Sequence, residues 1–384
     1  MKILIMGFTK IKFMPYMNFY LENIDRAEHE VNILYWNRDL QSEDLSKYQG
    51  CTFHEFEYYQ EDDVSKLSKV TSFAKYRKFA KSVLINGKFD FVFVLHSLTG
   101  VLVADVLKKH YCGKYIFDYR DSTYEGFAPF KKVVASITRN ARATFVSSDA
   151  FRRFLPEDCT KKIYTSHNLL LDSLAHRDEK TLRGIPSDKI RIAFWGFIRH
   201  EEINKEIIRK IAGDNRFELH YYGREQQVAL NLKQYVKDIG AENVFFHGEY
   251  TPEQRYDFVR STDIIHNIYC DGNTMLAMGN KYYDGIIFKV PQLCMVNSFM
   301  AQKIKDNEIG FQCDPLDPLF ADKIYGYYSQ IDWNNFRLNC DNELAKVVNE
   351  YDAGKTVINR SISGIVGDDN GDDKRIQTHQ NRCY

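Results

Sequence analysis

The stretch FDFVFVLH, residues 89–96, is apolar at consecutive positions and ends in a histidine. Continuous hydrophobicity predicts a strand buried on both faces, as in a parallel sheet covered by helices. Similar short runs recur around it, separated by polar segments of helical length. They are KILIMGF (2–8), EVNILYW (30–36), KYIFDYRD (114–121), ATFVSS (143–148) and KIYTSHN (162–168). Residues 1–170 are therefore predicted to form a doubly wound α/β domain.

The same pattern restarts after residues 171–189, which have no apolar periodicity and contain Gly184 and Pro186, as expected for a linker. The new runs are IRIAFWGF (190–197), FELHYYG (217–223), NVFFHG (243–248), DIIHNIY (263–269) and VPQLCM (290–295). They predict a second doubly wound domain over 190–353, with the last helix packing back on the first domain. Residues 354–384 lose periodicity, which predicts a disordered tail.

Composition limits the possible functions. The chain has 52 basic and 52 acidic residues, so it has no overall attraction for nucleic acid. Residues 1–170 carry 25 Lys and Arg against 20 Asp and Glu, a charge of +5, and the remainder is −5, which suggests two surfaces with different partners. Eight cysteines without a Cys-x-x-Cys pair indicate a reducing compartment. No apolar run is long enough to span a membrane, so we expect a cytoplasmic protein.

Several catalytic motifs are absent. No Gly-x-Gly-x-x-Gly follows the first strand, which argues against a dinucleotide dehydrogenase. AGKT (353–356) resembles the end of a phosphate loop but has Asn349 in place of the first glycine. DDNGDD (368–373) is interpreted as a solvated acidic run. No Gly-x-Ser-x-Gly or His-Glu-x-x-His occurs, and no metal site is predicted.

Ligands of open α/β sheets bind outside the carboxyl ends of the strands, and this rule selects candidate residues in the second domain. Glycines at these positions allow a ligand to approach the backbone. The candidates that follow or end predicted strands are Gly196, Arg199, Tyr222, Gly223, His247, Gly248, Tyr250 and Asn267.

The segment MGNKYYDGIIFKVPQL (278–293) adds a second group of candidates. A helix that opens near Gly279 and Asn280 would offer N–H groups and a positive dipole end to phosphate, and Lys281 could add a charge. Asp284, one turn inside, would repel phosphate but can accept hydrogen bonds from a ribose diol. This combination predicts a nucleotide diphosphate site, and the alternative is that Asp284 is an ordinary solvated helix residue.

GNKYYDGIIFKVPQL resembles the Asn-Lys-x-Tyr-Glu segment of glycosyltransferase family 4 and its relatives. IAFWGFIRHEE resembles the first strand and glycine of their donor domain, and NVFFHGEYTPEQRYDFVRSTDIIHNIY the region that follows the base-binding loop. IFDYRDS resembles the Asp-x-Arg-Asp of many capsule and lipopolysaccharide transferases. The resemblance covers about residues 1–350. It implies the GT-B fold, with two Rossmann-like doubly wound domains facing a central cleft, and places Asp284 where the family has the glutamate that holds the donor ribose.

The activity implied by the resemblance is a metal-independent, retaining Leloir hexosyltransferase without a cofactor. It would move a sugar from a nucleotide-diphosphate sugar to a glycan or polyprenyl-diphosphate-linked acceptor in capsular or surface polysaccharide biosynthesis, at the inner face of the plasma membrane. Two positions depart from the family. Phe197 stands where an arginine contacts the diphosphate, so Arg199 or Lys281 would take that role. Leu276 falls near the place of the first acidic residue of the Glu-x7-Glu pattern.

Three residues at predicted strand ends of the first domain are candidate catalytic residues: His96, Arg120 and Asp121. His96 would contact the sugar or the acceptor hydroxyl, or would be a structural histidine. Arg120 and Asp121 would bind the acceptor or form a structural ion pair. Asp121 would be the general base of an inverting enzyme, whereas a retaining enzyme needs none because the leaving diphosphate accepts the proton.

Residues 64–89 contain seven cations and no acid, with apolar residues near helical spacing. They predict either a basic amphipathic helix that contacts anionic headgroups or a packed surface helix with solvated lysines. Two alternative functions are a nucleotide-sugar 2-epimerase of similar fold and a non-catalytic nucleotide-binding partner protein.

Overall fold

The computed structural model describes residues 1–60, 66–177, 189–251 and 253–364. The chain divides into two compact units. The N-terminal unit comprises Met1–His167 together with the described residues from Glu350 onward, and the C-terminal unit comprises Asn168–Asn349.

The N-terminal unit is built on a seven-stranded, fully parallel sheet in the order β3-β2-β1-β4-β5-β6-β7. The strands are β1 Lys2–Met6, β2 Glu30–Asn37, β3 Cys51–Glu57, β4 Phe91–Leu95, β5 Tyr115–Tyr119, β6 Ala143–Val146 and β7 Ile163–Thr165. The helices before residue 150 are α1 Asn18–Leu21, α2 Lys66–Gly87, α3 Ser97–His110 and α4 Ala128–Asn140. The strand order reverses between β1 and β4, which makes their carboxyl ends the topological switch point.

Helix α2 covers part of the segment predicted to be a basic amphipathic helix, whose residues 64 and 65 lie outside the described residues. Its buried side chains are Ser72, Tyr76, Ala80 and Leu84, spaced four residues apart. Tyr76 packs its ring on Trp36, with centroids 5.6 Å apart. Val70 and Ile85 are exposed. The apolar face is thus used in packing against the unit's own sheet, as the packed-helix alternative requires.

The C-terminal unit contains a six-stranded parallel sheet in the order β10-β9-β8-β11-β12-β13. The strands are β8 Ile190–Trp195, β9 Phe217–Tyr222, β10 Val244–Phe246, β11 Ile264–Asn267, β12 Gln292–Met295 and β13 Gly310–Cys313. The helices are α5 Glu201–Ile211, α6 Gln227–Asp238, α7 Gln254–Ser261, α8 Asn280–Phe288, α9 Phe299–Asp306 and α10 Phe320–Ser329. The last helix, α11 Trp333–Ser363, begins in this unit, and its residues from Glu350 onward belong to the N-terminal unit. Here the order reverses between β8 and β11.

The predicted linker and tail differ from the structure. Leu171–His176 forms a 3-10 helix in the C-terminal unit, and its Ser173 is fully buried, whereas residues 178–188 lie outside the described residues. Residues 354–363 belong to α11 rather than to a disordered tail. A Cβ on Gly354 would lie 2.9 Å from Phe19 and 3.1 Å from Phe145, so this part of α11 packs closely on the N-terminal unit's core. The AGKT segment is therefore helical, and residues 365–384 lie outside the described residues.

Within the described ranges, no helix is both long and apolar enough to cross a membrane.

Candidate functional site

Three of the predicted glycines lie side by side at the carboxyl ends of β8, β9 and β10. Gly196 has a φ of +115°, which strongly favours glycine, and its N–H donates to the Tyr222 carbonyl at 3.0 Å. The Gly223 N–H donates to the Gly248 carbonyl at 2.8 Å. A Cβ on Gly223 would lie only 2.1 Å from the Gly196 carbonyl oxygen. This glycine row presents main chain rather than side chains at three neighbouring strand ends, and Gly196 borders the switch point between β8 and β11.

Helix α8 begins at Asn280, where the sequence predicts a helix opening. Its N-cap, Gly279, has an extended backbone (φ −75°, ψ 153°) and no side-chain cap. The first N–H groups of a helix have no partner within the helix, and the dipole adds a partial positive charge there. Asn280 is exposed. This end of α8 is therefore suited to an anion.

Asp284 lies one turn into α8, and its side chain is only 4% exposed. Its Oδ2 accepts a hydrogen bond from Trp195 Nε1–H at 2.9 Å. Its Oδ1 has no hydrogen-bond donor within the described part of the chain and faces Arg255 Nη1 at 3.6 Å as an ion pair. Burial raises the pKa of Asp284, opposed by Arg255, the Trp195 hydrogen bond and Lys281. Asp284 is thus not a solvated helix residue, and one oxygen of its carboxylate can still accept a hydrogen bond.

Lys281 is buried, and its side chain reaches the end of β8 rather than solvent. Its Nζ donates to the Trp195 carbonyl at 3.0 Å and to the Tyr269 hydroxyl. It also lies 4.1 Å from the centroid of the Phe194 ring. Burial lowers the pKa of Lys281 to about 7, Asp284 opposes this effect and Arg199 reinforces it. Lys281 therefore connects α8 to Trp195, the residue before Gly196. The charge of Lys281 changes near neutral pH.

Replacement of Lys281 by methionine tests this buried position. Between pH 7 and 10 the unfolded chain keeps the lysine proton that the folded chain has lost, so raising the pH favours the folded state. We expect the unfolding free energy of the wild type, relative to Lys281→Met, to rise by roughly 1 kcal/mol per pH unit in this window. Urea unfolding at pH 7.5 and 9.5 measures it, and a constant difference would contradict the lowered pKa.

The loop after Gly196 carries further positive charge. Phe197, at the departure from the family pattern, is 47% exposed, and the Arg199 guanidinium lies 4.8 Å from its ring centroid. His200 follows in a left-handed conformation (φ +61°), with Nε2 3.5 Å from Asp271 Oδ2. Arg199 thus lies exposed in the loop between Gly196 and α5, and its contact with a diphosphate stays a prediction.

Two predicted donor-binding residues, Tyr222 and His247, stack on aromatic rings of the protein itself. The Tyr222 ring stacks between His247, with centroids 4.2 Å apart, and Phe258, with centroids 4.1 Å apart. Both ring faces of Tyr222 are thereby covered. Tyr250 packs edge-on against Phe258, and burial raises its pKa to about 12, with the charge of Asp284 adding to the effect. The stack fixes the strand ends that carry the glycine row.

Asn267 is buried in β11, and its amide group connects this strand to α8 through Gln292. Its Nδ2 donates to Gln292 Oε1 at 2.8 Å, and Gln292 Nε2 donates to the Tyr282 carbonyl of α8 at 3.1 Å. Its Oδ1 has no hydrogen-bond partner within the described residues. Asn267 therefore makes a structural contact, and its role in donor binding stays a prediction.

In the N-terminal unit, His96 and Asp121 lie together at the switch point. His96 has a φ of +77° and caps α3, and its Nδ1 accepts a hydrogen bond from Leu98 N–H at 3.2 Å. In the neutral ring Nε2 then carries the proton, and it lies 3.7 Å from Asp121 Oδ2. Burial lowers the pKa of His96, although Asp121 opposes the effect. His96 is thus set as a donor, whereas the Asp121 side chain is 49% exposed.

Arg120 is instead part of the interior. Its Nε donates to Asp118 Oδ2 at 2.9 Å, its Nη2 donates to Ser166 Oγ at 3.2 Å, and its guanidinium lies 3.9 Å from the Tyr16 ring centroid. A buried guanidinium paired in this way fits the structural ion pair that the sequence left open as the alternative to acceptor binding. Its partner is Asp118 rather than Asp121.

The sequence did not predict several residues that surround the candidate residues of the C-terminal unit: Ser173, Trp195, His200, Arg255 and Asp271. Trp195 was predicted only as part of a strand. No local sequence pattern distinguishes Arg255, because a single arginine in a helix normally faces solvent. Among the described residues, no three His, Cys, Asp or Glu side chains are grouped as a metal site would need.

No protein-family model and no curated protein matches this sequence. Solved structures do match. Sucrose-phosphate synthase from Thermosynechococcus elongatus has a TM-score of 0.69 at 11% identity, covering 94% of this chain and 98% of that one. A glycosyltransferase from Rickettsia africae has a TM-score of 0.63 at 13% identity, covering 94% and 97%. Anabaena HepE in complex with UDP has a TM-score of 0.64 at 14% identity, covering 95% and 99%, and its complex with UDP-glucose also matches.

These likenesses extend over nearly the whole of both chains, while the identities are far below the level that would indicate a shared activity. They show the fold: two Rossmann-like α/β domains of the GT-B kind found in glycosyltransferases.

Proposed function

We propose that this chain is a glycosyltransferase that moves a sugar from a nucleotide-diphosphate sugar to an acceptor hydroxyl. The supporting observation is the juxtaposition in the C-terminal unit of an anion-binding backbone with an acceptor for a diol. The glycine row lets a ligand approach the main chain closely, the N-terminus of α8 offers N–H groups and positive potential, and Asp284 lies one turn inside that helix. HepE, a structure of the same fold, is solved with UDP and with UDP-glucose, and we therefore take a uridine nucleotide as the first donor to test.

Each part of the donor would meet a different element of the C-terminal unit. The diphosphate would lie on the glycine row and the start of α8, with Arg199 supplying the permanent charge. Lys281 would reinforce this charge when protonated. The ribose hydroxyls would donate to Asp284 Oδ1, which has no hydrogen-bond donor within the described residues. The negative diphosphate and the ribose hydroxyls would thus be bound by separate groups of the protein.

The proposed reaction breaks the bond between the anomeric carbon and the diphosphate oxygen and forms one between that carbon and the acceptor oxygen. In a retaining course the departing diphosphate accepts the acceptor's proton, and no enzymic base is needed. In an inverting course Asp121 would accept it, because His96 has no nitrogen lone pair left for the task in its neutral form. We propose the retaining, metal-independent course of family 4 enzymes, to be settled by the anomeric configuration of the product.

The acceptor assignment follows the resemblance to family 4 capsule and surface polysaccharide transferases. A polyprenyl-diphosphate-linked glycan would bring the reaction to the cytoplasmic face of the plasma membrane. Helix α2 supports this through charge, since Lys75, Arg77 and Lys78 are exposed while its apolar face is buried. Any membrane contact of this helix would therefore be electrostatic and sensitive to salt.

The test is to titrate the purified protein with UDP and then supply a panel of nucleotide hexoses with a polyprenyl-diphosphate-linked sugar acceptor. We expect UDP binding at micromolar concentration, slow hydrolysis of one donor, and transfer of its sugar. A 2-epimerised sugar released without acceptor would instead identify an epimerase. Binding without release of any sugar would identify a non-catalytic partner protein, and no binding of any nucleoside diphosphate would overturn the donor site.

A further inference from the structure

Arg255, the second residue of α7, is an arginine buried beside Asp284. Only 7% of the residue is exposed. Its Nη2 donates to Ser173 Oγ at 2.5 Å, and its Nη1 lies 3.6 Å from Asp284 Oδ1. Its Nε has no hydrogen-bond partner within the described residues. A buried guanidinium is costly unless a carboxylate compensates it, and here that carboxylate is Asp284.

The groups around Asp284 differ in the pH range over which they carry a charge. Arg255 approaches from α7, Lys281 lies on Asp284's own helix, the Trp195 indole approaches from β8, and the Tyr250 hydroxyl belongs to the loop before α7. Lys281 loses its charge near neutrality, because burial lowers its pKa to about 7. Tyr250 is uncharged at this pH. Arg255 is therefore the charge that remains next to Asp284 throughout the physiological range.

Arg255 is held in turn by the 3-10 helix Leu171–His176. Ser173 is fully buried and accepts the guanidinium hydrogen bond. The ring of His176 stacks on Tyr256, the residue after Arg255, with centroids 3.8 Å apart and an interplanar angle of 20°. The segment predicted to begin a linker thus packs on the start of α7 through two contacts.

We propose that Arg255 is a positioning residue of the donor site, which keeps Asp284 charged with Oδ1 directed at the ribose, and that Ser173 fixes the guanidinium. This inference rests on the proposed function, since Asp284 is the ribose acceptor there. Arg255 itself does not contact the reacting atoms. Arg255 acts on the nucleotide through the Asp284 carboxylate. Its removal therefore changes both the strength of nucleotide binding and the pH dependence of that binding.

The test compares UDP affinity at pH 8.0 and 6.0 for wild type, Arg255→Gln, Arg255→Lys and Ser173→Ala. Each protein, the wild type included, is measured in the Lys281→Met background, because Lys281 gains its charge between pH 8.0 and 6.0 and would otherwise replace part of the missing guanidinium charge. The ratio of variant affinity to parent affinity cancels the titration of UDP itself. Without the guanidinium, Asp284 takes up a proton at higher pH than in the wild type, so the loss grows as the pH falls. We expect the ratio for Arg255→Gln to fall at least about tenfold further at pH 6.0 than at pH 8.0.

The conservative variants and the pH profile decide whether the inference holds. Arg255→Lys should remove most of the extra loss at pH 6.0, where a buried lysine is charged, and Ser173→Ala should show the same trend as Arg255→Gln with smaller size. An equal loss at both pH values would mean a purely structural role and would overturn the inference. Asp284→Asn separates the two proposals. If it binds UDP as the wild type does, the donor-site assignment fails, whereas weak binding by Asp284→Asn with a flat Arg255→Gln profile rejects only the role of Arg255.

Discussion

Asp284→Asn is expected to weaken UDP binding at least 30-fold, which corresponds to about 2 kcal/mol. The asparagine keeps the shape of the side chain but removes the charge that accepts hydroxyl hydrogen bonds, and hydrogen bonds to charged groups contribute roughly 1.5–3 kcal/mol each. The change also leaves Arg255 buried without its carboxylate, a cost that falls on the folded protein rather than on the nucleotide.

Comparison of UDP with 2′-deoxy-UDP separates a direct contact from a general disturbance. In the wild type the deoxy nucleotide should bind at least about tenfold more weakly, and in Asp284→Asn the two should bind almost equally. Asp257→Asn is the matched control, since it removes a 77% exposed carboxylate from α7 in the same unit. A preserved preference for the 2′-hydroxyl in Asp284→Asn would show that the ribose is held elsewhere.

The sequence predicted every central strand but missed two of the four edge strands, β3 and β13. The six apolar runs of the first half correspond to the other six strands of the N-terminal sheet. None of the residues of β3, CTFHEFE, is fully buried, so polar side chains interrupt the strand and leave no continuous apolar run. Strand β13 at the edge of the second sheet, GFQC, was missed for a related reason, since it is short and only its cysteine is fully buried.

The candidate site was predictable where main chain defines it. Glycines that follow strands and the start of α8 are local features, and the structure places Gly196, Gly223, Gly248 and Gly279 accordingly. Side-chain partners were not predictable, because they come from distant positions. Trp195 and Asp284 are 89 residues apart, and Arg255 and Ser173 are 82 apart. No local periodicity carries information about pairs at such separations.

Arg120 and Asn267 show a further limit of prediction from strand position. Both occupy strand-end positions, where the general rule selects ligand contacts, yet both side chains turn into the interior and make buried hydrogen bonds. A residue's position along a strand does not reveal whether a buried partner such as Asp118 or Gln292 is available. The end of α11 was missed because its residues 354–363 contain a glycine and many polar groups, while their stability comes from packing on Phe19 and Phe145.

Gly223→Ala is expected to impair both stability and nucleotide binding. The added methyl carbon would lie 2.1 Å from the Gly196 carbonyl oxygen, which is main chain and cannot rotate away. The end of β8 or β9 must then move, and overpacking of this kind typically costs about 1–3 kcal/mol. Since the same movement displaces the backbone proposed to hold the diphosphate, UDP affinity should fall at least about tenfold even where the variant is fully folded.

Gly326→Ala provides the matched control. It adds a methyl group within α10, outside the proposed donor site, where no atom beyond the adjoining backbone lies within 4 Å of the added carbon. It should leave UDP affinity unchanged and stability unchanged or slightly higher, because alanine is favoured over glycine in the interior of a helix. Urea unfolding and UDP titration of both variants make the comparison. If Gly223→Ala proved as stable and as tight-binding as Gly326→Ala, the close approach of the two strand ends would not be needed to hold the diphosphate.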